Sequence, residues 1–539
     1  MRNYTILLII CILLMSTYPL IGGSWQWATS FGAQGMESVW DMDVHSYSGD
    51  IYVGGDFTDS LLIEGSVYPA SGESDSYIIK YNDLGIFQWI RTFGSTEQDV
   101  CLSIATDAAG NCCFSGFYSG TLVIGNNQYQ SNGGWEGYLG KLSPDGDLLW
   151  FRSFGGPLTD LGYGISVDLA GNCYVTGWFG GNIDFGNNIS ITSFGGSDIF
   201  LLKTDPNGNP LWARHAGTAG VEYGYKVDVS ANGYAYVTGY ASPGSDFDGV
   251  VTDASGMFVA KYDPMGNIEW VLPSYNTGAI NIGISWVDLV SHDGVVIGRV
   301  TGTGIIGDTV INSVNESDDI YVAKFSSDGS WTEVQHYGGP GSDKGRAVDN
   351  RNPLTMLFSF EEQINIGNHT LNSNGLSDVV IYNSIYPPVS FGGENVDIGN
   401  SVKRLPLDRF VVTGWFSGIV RFGNHVINSG SNTNQDGFVA LYDALASNVD
   451  DPNATAYKPL LCYPNPSSQS ITIEGKGLDK VSVYNIRGQL IRELAPNRSV
   501  DGINSFYWDG RDASSVNCSP GVYLVKAGLK SAKVILLDK

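Results

Sequence analysis

The chain has 539 residues, of which 12% are aromatic and only 16% charged, with 70 glycines and a formal net charge of −26. That balance fits a turn-rich all-β protein and excludes nucleic acid as a partner, whose phosphates need clustered Lys and Arg; it suits a cation or a soluble extracellular surface. The charge is uneven: residues 460–539 hold ten Lys/Arg and seven Asp/Glu (+3), the rest 19 and 48 (−29), a step that predicts a domain boundary.

The N-terminus predicts an export signal over residues 1–23. Arg2 supplies the positive flank, Ile6–Met15 an apolar run of ten, and Gly22, Gly23 and Ser24 small residues for cleavage. Ten apolar residues are too few to span a bilayer core, which needs about 20, and no later segment is long and apolar enough. Six cysteines follow the signal. Cys112 and Cys173 fall in apolar strand patterns and read as small buried side chains. Cys462 and Cys518 stand alone in the C-terminal segment, where a bridge between them is possible.

From residue 24 to 443 one unit is written seven times. Trp27, Trp89, Trp150, Trp212, Trp270 and Trp331 recur at intervals of 58 to 62 residues. After each Phe-Gly or its equivalent comes an acid or amide: Glu37, Asp99, Asp160, Glu222, Asn281, Asp343 and Asp397. Seventeen residues further on stands a glycine in six of seven units: Gly54, Gly116, Gly177, Gly239, Gly298 and Gly414. Self-similarity near 60 residues means a propeller or a solenoid.

Each unit predicts four antiparallel strands, in the third roughly 163–168, 172–177, 198–203 and 210–215. Turns such as Asp168-Leu-Ala-Gly-Asn172 and Asp205-Pro-Asn-Gly-Asn209 join them, with Pro presetting φ, Gly accepting positive φ and Asp or Asn capping the backbone. Gly-Asn pairs at 125–126, 186–187, 367–368 and 423–424 predict a small hairpin between the second and third strands. The repeat begins with a fourth strand at Trp27–Phe31 and stops at a third strand, 436–441. The expected architecture is therefore a seven-bladed β-propeller closed by its N-terminal strand. Units such as Ile-Ser-Val-Asp168-Leu-Ala-Gly-Asn-Cys-Tyr-Val-Thr-Gly177 resemble the seven-bladed β-propeller repeat family of secreted bacterial proteins, which implies fold and export rather than an activity.

Residues 444–459 have no period and read as a linker. Residues 460–539 predict about six short strands, an immunoglobulin-like β-sandwich. Tyr463-Pro464-Asn465-Pro466, Val483-Tyr-Asn-Ile-Arg-Gly488, Gly521-Val522-Tyr523 and the Lys-rich end resemble the C-terminal sorting domain of the type IX secretion system. Trp508-Asp-Gly-Arg-Asp512 is also similar to the Ig-like domain of flagellar hook-capping proteins. The resemblance implies delivery by that machinery to the cell surface or the medium, attached there rather than spanning the membrane.

No nucleophile elbow, His-x-x-x-His or phosphate loop is present. The candidate chemistry is acidic. Glu37, Asp99, Asp160, Glu222, Asp343 and Asp397 precede the first strand of their units, and Asp75, Glu136, Asp198, Asp319, Asp378 and Asp436 open the third. The first set, ringing a channel mouth, is a candidate site for a hard cation such as Ca²⁺. The competing role, which repetition favours, is to hydrogen-bond backbone N–H groups within each loop. The function expected is an exported binding module for a glycan, protein or cation. The alternatives are a secreted hydrolase or lyase using channel-mouth carboxylates, and a structural component of the cell envelope.

Overall fold

Period-two apolar alternation, broken at regular offsets by Gly, Pro, Asn and Asp, gives a chain of short antiparallel strands. The computed structural model describes residues 23–253, 255–276, 284–287, 293–349, 354–446, 461–463, 470–476, 478, 480–485, 490–500, 503–527 and 530–536. Residues 1–22 of the expected export signal, Asn281, most of the expected linker and Pro464–Pro466 lie outside these residues. The protein is all-β; among the described residues the one helical turn is a 3₁₀ segment, Val314–Glu316. It divides into two compact units, residues 1–448 and 449–539.

The first unit is a succession of four-stranded antiparallel sheets. Sheet 1 runs Glu37–Val44, Ile51–Phe57, Asp75–Tyr81 and Phe87–Phe93, and the later repeats follow the same order. The first strands of sheets 2 to 7 are Asp99–Thr106, Leu161–Val167, Tyr223–Val229, Ile284–Val287, Lys344–Asp349 and Asp397–Leu405. In sheet 7 the fourth place is taken by Ser24–Phe31, which pairs antiparallel with Asp436–Asp443, Thr29 opposite Val439.

Second and third strands are buried along their whole length in sheets 1 and 2, because both faces are covered by neighbouring sheets. The cores lie between sheets. Phe93 and Tyr52 of sheet 1 pack with Phe114 and Tyr138 of sheet 2, and Val411, Val439 and Leu441 of sheet 7 pack with Val53 and Ile79 of sheet 1. Each such side chain stabilises the fold by about 1.5–3 kcal/mol.

Two further devices join the sheets. The Trp-x-Arg pairs on the fourth strands of sheets 1 to 3 grip the next sheet's Pro-containing turn. Trp89 Nε1 donates to Pro144 O at 2.9 Å and Arg91 Nε to Gly146 O at 2.7 Å; Trp212 and Arg214 do the same to Pro264 O and Gly266 O. The hairpin between second and third strands leans back on the preceding sheet. Val250–Thr252 and Ser245–Phe247 extend the sheet that ends in Pro210–Gly217, and Gly32 N donates to Leu62 O across the junction of sheets 7 and 1. In the third repeat the hairpin is continuous with its parent strands, Cys173–Asp184 and Ser190–Thr204.

The C-terminal unit has two four-stranded sheets. One pairs Leu461–Tyr463, Ile471–Lys476, Ile503–Trp508 and Arg498–Val500; the other pairs Leu490–Leu494, Val481–Asn485, Gly521–Ala527 and Lys530–Leu536. Its core gathers Ile471, Ile473, Val481, Val483, Phe506, Trp508 and Val525, with Trp508 Nε1 donating to Arg511 O at 2.9 Å. Cys518 carries a free thiol beside this core, and the side chain of Cys462 lies outside the described residues. Cys101, Cys112, Cys113 and Cys173 are buried free thiols, with the sulfurs of Cys113 and Cys173 3.6 Å apart.

Candidate functional site: a central cavity and its repeated acids

The repeated acids sit between sheets. Glu37, Asp99, Asp160, Glu222, Asp343 and Asp397 are all fully buried. Five accept a hydrogen bond from the backbone N–H four residues upstream, at 2.6–2.8 Å: from Ser95 to Asp99, Gly156 to Asp160, Thr218 to Glu222, Gly339 to Asp343 and Gly393 to Asp397. Four of the acids that open third strands cap their own loops in the same way, Ser71 N to Asp75, Asn132 N to Glu136, Phe194 N to Asp198 and Asn374 N to Asp378.

The two sets meet at the glycine of the Phe-Gly signature. A Cβ on Gly32 would lie 2.6 Å from Asp436 Oδ1 and 2.7 Å from Glu37 Oε2; one on Gly155 would lie 2.8 Å from Asp160 Oδ2 and 3.1 Å from Glu136 Oε1. The glycine is therefore required by two carboxyls closing on its backbone. Burial, then Asp436, pushes Glu37 up to about 9; burial, opposed by the Gly339 N–H and reinforced by Asp319, pushes Asp343 up to about 8. The six acids are not brought together: among the described residues no three His, Cys, Asp or Glu side chains group to hold a metal ion.

A cavity of about 440 Å³ lies between the first strands. Its position follows from a β-bulge that recurs in those strands two residues after the acid. Pairing jumps from Val39 to Asp41, Cys101 to Ser103, Gly162 to Gly164, Gly224 to Lys226, Gly345 to Ala347 and Gly399 to Ser401. The skipped residues are Trp40, Leu102, Tyr163, Tyr225, Arg346 and Asn400, and all six line the cavity. A bulge re-aims a side chain that a regular strand would send elsewhere. Here one bulge in each of six repeats delivers one residue to the cavity; the described part of the first strand of sheet 5, Ile284–Val287, pairs without one.

Unlike the acids, these six residues are of five kinds, the two tyrosines alone repeating. Tyr163 and Tyr225 meet edge to face with centroids 5.3 Å apart. Trp40 is 40% exposed, and its Nε1 donates to Asp56 Oδ1 at 2.7 Å. Five cations, Lys226, Arg299, Lys344, Arg346 and Lys403, share the lining with three acids, Asp41, Asp43 and Asp228. In a chain of net charge −26 this is a local reversal of sign.

Most of these charges are paired. Asp41 accepts from Lys226 Nζ and Ser103 Oγ, both at 2.7 Å, and Lys403 Nζ lies 3.3 Å from Asp43. Burial opposes the charge on Asp41, but Lys226 and Lys403 outweigh it and hold the carboxyl below its usual range. Arg299 Nη1 donates to Asp318 Oδ2 at 2.9 Å. Arg346 differs. Its Nε–H, like that of Arg299, is buried without a hydrogen-bond partner. Burial and the Arg299 charge lower Arg346 to about 10, leaving it protonated at neutral pH.

None of the cavity residues was singled out by the acid pattern. Their signal was present, in the residue three places after each acid, which is Trp40, Leu102, Tyr163, Tyr225, Arg346 or Asn400 where the acid itself is retained.

Comparison with known proteins gives two family matches: a beta-propeller repeat model at residues 149–178 and a secretion system C-terminal sorting domain model at residues 461–535. An uncharacterized WD repeat-containing protein of Acanthamoeba polyphaga mimivirus is 21% identical over 423 residues, covering 63% of this chain and 29% of its own length. Regulatory protein FlaEY of Caulobacter vibrioides is 27% identical over 357 residues, covering 59% and 36%. The chain thus spans about a third of these relatives. Among solved structures, the Vibrio cholerae biofilm matrix protein Bap1 matches at 10% identity and a TM-score of 0.20, covering 93% of each chain. Dimeric latent PorU from Porphyromonas gingivalis matches at 10% and 0.14, covering 97% of this chain and 34% of its own. Among the described residues no helix is long and apolar enough to cross a membrane.

Proposed function

As a propeller-repeat protein whose C-terminal sorting domain hands it to the type IX secretion machinery for secretion or surface export, the chain needs a role outside the cell, and we propose that it is a binding module that takes a small polar ligand in the cavity between its first strands. The observation that carries this is the contrast at the bulge. The acids three residues earlier repeat because every sheet junction needs the same cap. The bulge residues vary because a single ligand at the centre meets each sheet once.

In this reading the seven sheets close into a seven-bladed ring, with Ser24–Phe31 as the strand that latches blade 7. Its pairing with Asp436–Asp443 and the bond from Asn400 Nδ2 to Val39 O at the junction of sheets 7 and 1 support the closure. Residues 1–23 are the export signal, 24–443 the propeller, 444–459 a linker and 460–539 an Ig-like sorting domain. The two facing sheets of the C-terminal unit support the last assignment. The acids Glu37, Asp99, Asp160, Glu222, Asp343 and Asp397 act as caps of the blade junctions in this reading, and the ligand is a glycan or a small molecule derived from one.

The test is a saccharide array probed with the full exported chain and with a Trp40→Ala/Tyr225→Ala variant of unchanged melting temperature. Binding that the double variant loses supports the reading. Binding that survives it at full strength places the site elsewhere and contradicts it.

A further inference from the structure

Two guanidiniums line the cavity, and among the described residues their buried Nε–H groups have no partner. Arg346 reaches it from the bulge of sheet 6, and Arg299 from the second strand of sheet 5. Asp318 accepts from Arg299 Nη1 at 2.9 Å, from Thr301 Oγ1 and from Ser342 Oγ, and lies 3.8 Å from Lys344 Nζ, so this one carboxylate is already engaged four times. The Nε–H of Arg346 has no hydrogen-bond partner among the described residues. A buried donor left unmade costs about 1–3 kcal/mol, more when charged, and two like charges side by side add to that. Such an arrangement is retained when something else supplies the negative charge. A planar oxyanion fits best, because a guanidinium presents parallel N–H donors that match two carboxylate oxygens.

The same lining has an aromatic part: Tyr163 and Tyr225 of sheets 3 and 4 meet edge to face, and Trp40 of sheet 1 is half-exposed. Aromatic faces bury the apolar face of a ring while leaving its hydroxyls to polar neighbours. A cavity of about 440 Å³ holds a ligand of one or two sugar rings, near the small end of ordinary ligand pockets.

We propose that the Arg299–Arg346 pair binds the carboxylate of a monosaccharide-sized acid, with the rest of the ligand against Tyr163 and Tyr225. This deepens the binding-module reading and rests on it. The shared chemistry is the carboxylate; a uronic acid and an open-chain organic acid are its two sources.

The experiment is calorimetric titration of the full exported chain with galacturonate, galactose and malate at low salt, repeated with Arg346→Gln and Tyr225→Ala. Galacturonate binds, galactose does not, and added salt weakens the binding. Arg346→Gln weakens galacturonate about ten- to a hundredfold, as expected for a lost charge-assisted hydrogen bond. It leaves the melting temperature unchanged or higher, since it removes a buried Nε–H without a partner and the repulsion from Arg299. Tyr225→Ala weakens galacturonate but not malate if the source is a sugar acid; malate binding tightly with no dependence on Tyr225 assigns the open-chain acid. Equal binding of galactose and galacturonate, or an Arg346→Gln variant that binds galacturonate as the parent does, overturns the carboxylate assignment and leaves the cavity reading standing. No heat with either acid at about 10 mM also overturns it, and the saccharide array then judges the binding module separately.

Discussion

Lys226 Nζ donates to Asp41 Oδ2 at 2.7 Å, although the two residues are 185 positions apart and sit on the first strands of sheets 4 and 1. Asp41 also accepts from Ser103 Oγ of sheet 2 at 2.7 Å and from Ser401 Oγ of sheet 7 at 3.4 Å. One carboxylate therefore ties four sheets together at the cavity. Lys226 is 21% exposed and Asp41 11%, so the pair is partly screened. Asp41→Asn should cost about 2–3 kcal/mol, below the 3–5 of a fully buried pair broken on one side. The double variant Asp41→Asn/Lys226→Met should cost less than the sum of its parts, measured by urea unfolding in a double-mutant cycle. Strict additivity would show that the contact couples nothing.

The buried acid pairs make a prediction about pH. Glu37 is raised to about 9, Asp343 and Asp397 to about 8, Asp99, Asp160 and Asp436 to about 7, in each case first by burial. The folded protein then holds protons that the unfolded chain has released above about pH 4. The stability they contribute is complete below that pH and is lost as pH rises through 7 to 9, at ~1.4 kcal/mol per pH unit for each proton retained. The melting temperature should fall from pH 5 to pH 9. Asp436→Asn should flatten the slope; a melting temperature that climbs over this range would rule the shared-proton account out.

Gly208 tests the junction turns. Its φ is +76° and an added Cβ would meet the Trp150 ring at 2.7 Å. Gly208→Ala should destabilise by about 1–3 kcal/mol, combining backbone strain with overpacking. In a Trp150→Leu background, where the ring is gone, the penalty should shrink toward the backbone part alone, read as a difference between thermal midpoints.

Export depends on the C-terminal unit. A chain lacking residues 460–539 should fold, since the sheets of residues 24–443 pair among themselves, and should accumulate in the periplasm. Cell fractionation checks this, and undiminished release into the medium would refute the role of the sorting domain.

The repeat, its four strands, its turns and the hairpin between second and third strands were legible because they follow local rules of period and turn chemistry. The Trp-x-Arg pairs were legible as packing, though not as donors to the next sheet's turn carbonyls. What the sequence hid was register. In the first repeat the glycine that pairs tightly with the acid's strand is Gly55, whose Cβ would lie 1.8 Å from Ser38 O, and not Gly54. The residues between Val44 and Ile51 outnumber those between Thr106 and Cys112 by one, which shifts the count. The bulge was hidden for the same reason. Skipping Trp40 or Arg346 leaves no mark on the spacing of acids and turns, yet decides which side chain reaches the centre. The acids drew attention by repeating, and five of the six accept a loop N–H; the cavity position was visible only as variation at a fixed place.

The most direct test is a crystal of the full chain soaked with galacturonate at tens of millimolar, about tenfold above a millimolar Kd. The ligand should occupy the central cavity, with its carboxylate against the Nε–H groups of Arg346 and Arg299 and its ring against Tyr225. A cavity that stays empty while the sugar settles elsewhere on the protein, or nowhere, would contradict the account.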